Sequence, residues 1–140
     1  MMKISKLLCK SFALLSLLLI ACSNTDDIQQ KVTEIDASQL KVRDPFIFYD
    51  ADTDYYYLHV NGTLKVKSYK SKDLLTWQEN GYSFLPSAGF WGKEDFWAPD
   101  FYKYEDKYYL FITLSAPGVK RGTSVLVSDR VTGTFQPLAV

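Results

Sequence analysis

"DPFIFYDADTDYYYLHV" (Asp44–Val60) and "PDFYKYEDKYYLFIT" (Pro99–Thr113) are two versions of one phrase. In each, a short aromatic run meets an acidic turn, and a Tyr-Tyr-Leu strand follows. β-Branched and aromatic residues around a polar turn predict a hairpin, because such side chains suit a pleated surface. The phrase then continues in step. "YKSKDLLTW" (Tyr69–Trp77) is echoed by "LVSDRVTGTF" (Leu126–Phe135), each with a Ser and an Asp before a turn that ends on an aromatic. The echo is displaced by 52 to 58 residues. A period of about 50, with several strands per unit and no amphipathic helix, predicts an all-β chain of propeller blades. Two units are visible, whereas a propeller closes with at least about four. The expectation is therefore an incomplete propeller, with an open strand edge and an uncovered apolar face.

The chain divides into three parts. Residues 1–21 carry Lys3, Lys6 and Lys10 ahead of the apolar "SFALLSLLLIA", the pattern of an export signal too short to span a bilayer. "LIAC" then places a small residue before Cys22, which looks like a lipoprotein signal with Cys22 as the acylated first residue. "SNTDD" beyond it resembles the acidic tract of some surface-exposed bacterial lipoproteins. The expectation is an exported protein, anchored in the outer membrane or at the cell surface through Cys22. Residues 22–40 are polar and without aromatics, a tether. Residues 41–140 hold the blades. Removing the first 21 of 140 residues leaves 119, and the loss of three lysines and no acid takes the formal charge from zero to −3. That balance gives nucleic acid no footing. Cys9 leaves with the signal and Cys22 is acylated, so no disulfide is expected.

The sole histidine, His59, has no metal-ligand spacing around it and no Gly-x-Ser-x-Gly elbow to serve. It is expected as a strand residue at a blade surface. Carboxylates remain. Asp44 lies between Arg43 and Pro45, where Pro45 favours an extended backbone and "FIF" behind it reads as a buried strand. Such an acid suits a general base on a rigid element, with Arg43 as counter-charge, and equally a turn aspartate before proline. In "GFWGKEDFWAPDFY" (Gly89–Tyr102), Trp91 and Trp97 stand among Glu94, Asp95 and Asp100. Indole faces stack on sugar rings and carboxylates accept hydroxyl hydrogens, although core packing explains a tryptophan as well. Trp77, after "LLT", is expected in the core.

Taken together, "RDPFI", "KSKDLLTW", "FWAPDFYKYEDKYYLFIT" and "GTSVLVSDRVTGTF" resemble glycoside hydrolase family 43 in order and spacing, from Val42 to Pro137. The resemblance implies a five-bladed β-propeller with its active site at one end of the channel. It implies inverting hydrolysis of arabinans, xylans and related side chains. It aligns the family's base with Asp44 and its pocket tryptophan with Trp97. It turns the strand end from His59 to Thr63, including Asn61, towards the sugar; Trp91, by its place among the acids, is a further expected sugar contact. The family's general acid and its pKa-tuning aspartate align beyond Val140. Loss of the acid costs about 10² to 10⁴ in rate, so the chain is expected to be inactive by itself. No cofactor is required. Family members often hold a cation, commonly calcium, in the channel, and no ligand set is identifiable in this stretch. The alternatives are a non-catalytic surface glycan-binding lipoprotein and a propeller with no sugar ligand.

Overall fold

The computed structural model describes residues 33–138. The expected signal, Cys22 and the first part of the tether lie outside the described residues. Nine strands form: β1 Glu34–Asp36, β2 Phe46–Asp50, β3 Tyr55–Gly62, β4 Lys65–Ser71, β5 Thr76–Phe84, β6 Glu94–Tyr104, β7 Lys107–Ala116, β8 Val119–Ser128 and β9 Gln136–Pro137. They build two antiparallel sheets in the orders β1-β5-β4-β3-β2 and β6-β7-β8-β9. These are the two blades that the repeat predicts. The repeat is also visible in register, since Phe48 lies opposite Tyr57 and Tyr102 lies opposite Tyr109.

Local chemistry explains the shared Ser-and-Asp turns. Between β4 and β5, Asp73 Oδ1 accepts the Leu75 and Thr76 amides at 2.9 and 2.8 Å. Those two bonds hold its carboxyl below the usual range, that to Thr76 first. Ser71 Oγ accepts the Leu74 amide at 2.9 Å and donates to the Thr76 carbonyl at 2.6 Å. Side chains thus satisfy a backbone that bends too sharply to satisfy itself. Trp77 follows, buried, with Nε1 donating to the Leu74 carbonyl at 3.1 Å. In the second blade, Ser128 makes the turn and Phe135 takes the place of Trp77.

The main core lies between the sheets, where Tyr57, Val66 and Phe84 meet Phe101, Leu110, Ile112 and others. Phe101 has no exposed surface, and its ring lies 5.0 Å from Phe48 and 5.4 Å from Phe135. Truncating such a ring costs about 3–5 kcal/mol. A second cluster, Leu58, Val60, Tyr69 and Trp77, lies on the opposite face of the first blade.

That second cluster corrects the expected tether. β1 pairs with β5, Ile35 opposite Trp77, and Asp36 caps a short 3₁₀ turn at Ala37–Gln39. Ile35, Ala37, Leu40 and Val42 then cover the cluster. Packed structure therefore already includes Glu34–Leu40, ahead of residue 41. A few well-spaced apolar side chains do this, and average composition hides them.

Two further expectations change. "FIF" is not a buried strand: β2 is the edge of its sheet, so Phe46 and Phe48 face the second blade while Ile47 is exposed. His59 is not at a blade surface. It is wholly buried, its ring stacked on Phe101 at 4.2 Å and its Nδ1 2.7 Å from Ser83 Oγ. Its Nε2 has no partner. The outer face of the second blade is open, as expected, with Tyr102 and Tyr104 exposed along a hollow of about 680 Å³.

One buried carboxylate joins the blades. Asp50 accepts from Tyr108 OH at 2.8 Å and from the Thr53 amide and hydroxyl at 3.1 and 2.8 Å. Asp50→Ala strands the buried Tyr108 hydroxyl, so we expect a loss of about 1–3 kcal/mol in urea unfolding, and less for Tyr108→Phe. Burial also lowers the His59 imidazole pKa to about 3. Its unfolded value lies near 6.5, so the unfolded chain binds this proton first. Stability is full above pH 6.5 and falls as the pH drops towards 3, by about 1.4 kcal/mol per unit. Urea midpoints between pH 7.5 and 4.5 should show this slope, and His59→Gln should flatten it.

Candidate active site

Strand ends place the predicted residues. Asp44 stands two residues before Phe46, whose partner across the hairpin is His59, two residues before Asn61. Antiparallel register therefore puts Asp44 and Asn61 at one end of the first blade. Asp44 is not extended, as Pro45 led us to expect; its φ is +49°. Aspartate tolerates the left-handed region better than most residues, at a cost that the surrounding chain must cover. Arg43 Nε lies 3.4 Å from Asp44 Oδ2, with both side chains substantially exposed. An open pair of this kind contributes little to stability.

Trp97 enters from the second blade through irregular backbone. β6 shifts register on both sides of Trp97, and Asp95 and Ala98 have φ of +55° and +46°. These left-handed residues flank Trp97, and Asp44 is itself left-handed. The irregularity turns the Trp97 side chain out of the strand's ordinary alternation. Trp97 and Asn61 line one cleft of about 660 Å³, walled by the Gly62–Leu64 turn and by Lys93 to Phe96. Arg43 connects this cleft to Asp44, since its guanidinium lies 5.3 Å from the centre of the Trp97 indole.

The remaining candidates separate. Trp91 is not brought to this cleft; its Nε1 donates to Ser124 Oγ at 2.8 Å and it lines a second hollow with Phe90 and Leu138. Asp100 faces the open hollow of the second blade beside Tyr102. Glu94 and Asp95 do line the cleft. Asp95 Oδ2 is engaged by Ser115 Oγ at 2.8 Å and by Arg121 at 2.7 Å. Arg121, which the sequence does not single out, lies 3.9 Å over the Trp97 ring. Only the strand register could reveal it: Trp97 faces Thr113, Thr113 faces Thr123, and Arg121 lies two residues back along β8.

Calcium takes six to eight oxygen ligands. Among the described residues no three His, Cys, Asp or Glu side chains converge. The unpartnered His59 nitrogen belongs to a ring packed on Phe101 and Ser83, not to an oxygen cage. Among the described residues, then, no ligand set for that cation is assembled.

Comparison with known proteins supplies the family. The family profile for glycosyl hydrolases family 43 matches residues 37–139, and the chain belongs to that family. The family fold is a five-bladed propeller, of which the described residues supply two blades. An endo-arabinase from Bacteroides thetaiotaomicron VPI-5482 is 59% identical with a TM-score of 0.73, over 75% of this chain and 37% of that one. Two more distant structures share the fold. A thermostable family-43 glycoside hydrolase is 24% identical, TM-score 0.62, over 68% of this chain and 31% of that one. A GH43_1 enzyme from Xanthomonas citri, complexed with xylose, is 17% identical, TM-score 0.63, over 78% and 35%. The chain thus spans between 31% and 37% of the length of these relatives. No curated protein matches it.

Proposed function

We propose that this chain serves the inverting hydrolysis of arabinose- or xylose-containing plant polysaccharides, with Asp44 as general base and Trp97 and Asn61 as sugar contacts. One observation carries the reading: Trp97 and Asn61 share a cleft at the strand ends where Asp44 also sits. The high identity to an endo-arabinase supports the arabinan side of it. In this role the Asp44 carboxylate takes a proton from a water, which attacks the anomeric carbon from the face opposite the leaving sugar. The indole carries the apolar face of the sugar ring, and the Asn61 amide meets its hydroxyls. Trp91, in its own hollow, is left out of this assignment. Acylation at Cys22 and the polar residues after it would hold the blades at the bacterial cell surface, where polysaccharide arrives.

A second reading is glycan binding without hydrolysis, for which the Trp97 cleft suffices, and Asp95 does not decide between them. That carboxylate lines the cleft but is committed to Arg121 and Ser115, and no residue described here is assigned as the acid. Without an acid, turnover falls by about 10² to 10⁴.

Affinity electrophoresis of the full chain on arabinan and xylan tests the common core of both readings. We expect retardation on at least one, lost in Trp97→Ala; a folded chain that runs freely on both overturns them. Turnover of an aryl arabinoside or xyloside, weak in a chain without its acid, supports the first reading wherever it is detected. Asp44→Asn should keep the retardation and abolish whatever turnover exists. Turnover that survives this substitution removes Asp44 from the base's role.

A further inference from the structure

Two guanidinium groups approach Trp97, and they are held very differently. Arg43, at 5.3 Å, is an exposed side chain whose ion-pair partner is Asp44 at 3.4 Å. Arg121 lies closer, at 3.9 Å, and is fixed. Its NH2 group donates to Asp95 Oδ2 at 2.7 Å, and the same oxygen accepts from Ser115 Oγ at 2.8 Å. Asp95 on β6, Ser115 on β7 and Arg121 on β8 thus tie three neighbouring strands together across the base of Trp97. Asp95 holds this position at φ +55°, a conformation that costs a non-glycine residue about 1–3 kcal/mol. An exposed surface pair would not justify that cost by its own stability.

We propose that Arg121, clamped by Asp95 and Ser115, is a positioning residue that covers part of the Trp97 indole and sets the plane on which a sugar is received. A planar cation over an indole is attracted by the ring's electron-rich face, and the fork of the guanidinium lets one group both stack and pair with a carboxylate. The loosely held Arg43 is then the group that yields to a ligand, while Arg121 stays. The saccharide half of this inference rests on the function proposed above; the clamp itself does not.

Proton NMR of the full chain reads the clamp without any ligand. The ring current of Trp97 should shift the Arg121 δ-protons upfield. Asp95→Gly, at a position where glycine accepts the backbone, should return them to ordinary values while the amide spectrum stays dispersed. Asp95→Asn should restore part of the shift. With arabino-oligosaccharide, Asp95→Gly and Arg121→Gln should each weaken binding by about tenfold. Arg121→Lys, which keeps the charge and loses the plane, should not rescue it. Unshifted Arg121 protons in the unmodified chain, or a shift that survives Asp95→Gly, overturns the clamp. Loss of the clamp with unchanged affinity overturns its positioning role. A clamp that forms and breaks as described, in a chain that binds no oligosaccharide, upholds the clamp and removes the saccharide reading.

Discussion

The structure depends on the burial of Phe101. Its ring is closed in by Phe48 and His59 from the first blade and by Tyr108 and Phe135 from its own. Each sheet has two faces and both carry apolar residues, so each blade leaves apolar surface in water unless a neighbour covers it. The contact at Phe101 lays β6 against β2 and β3, which form the inner edge of the first blade. Everything at the cleft follows from that apposition. Asp44 precedes β2, Trp97 lies near the start of β6, and Asn61 is the last residue but one of β3. Side chains more than 30 residues apart therefore share one rim.

The rim is also where the backbone departs from regular geometry. Asp44, Asp95 and Ala98 all adopt left-handed φ, and two register shifts bracket Trp97. Other left-handed residues, such as Asp54, Leu74 and Glu105, sit in hairpin turns where such angles are ordinary. A strand that ran straight through Asp95–Ala98 would keep its ladder bonds and send the indole elsewhere. Strain concentrated at side chains of chemical interest, and held by a packed core behind them, is what a preorganised site requires.

Much of this was legible in the sequence because it is local. Hairpins, the Ser-and-Asp turns and the burial of Trp77 depend on neighbours a few residues away, and the repeat supplied a second copy of each. Asp44 and Trp97 stood out because four short motifs fall in register with the family that the chain resembles. What escaped was set by distant contacts. Residues 34–40 look like a linker until Leu58 and Trp77 offer them a surface. His59 reads as a surface polar residue until Phe101 covers it. Arg121 is an ordinary hairpin arginine until the register of β6 through β8 brings it over Trp97. The angle at Asp44 ran against the preference that Pro45 imposes, because tertiary packing outweighs a local bias.

His59 has a further consequence. In register it corresponds to Phe111 of the second blade, since Phe46 opposes one and Asp100 the other. Blades built on one phrase present similar faces, and during folding any of them can dock on the wrong neighbour. The first interface is marked. A wrong partner would bury Asp50 without the Tyr108 hydroxyl, at the cost of an unmet polar group, and would leave His59 and Ser83, already paired with each other, without the Phe101 ring. The carboxylate that joins the blades thereby serves as an address, by which the first blade tells its proper neighbour from a look-alike.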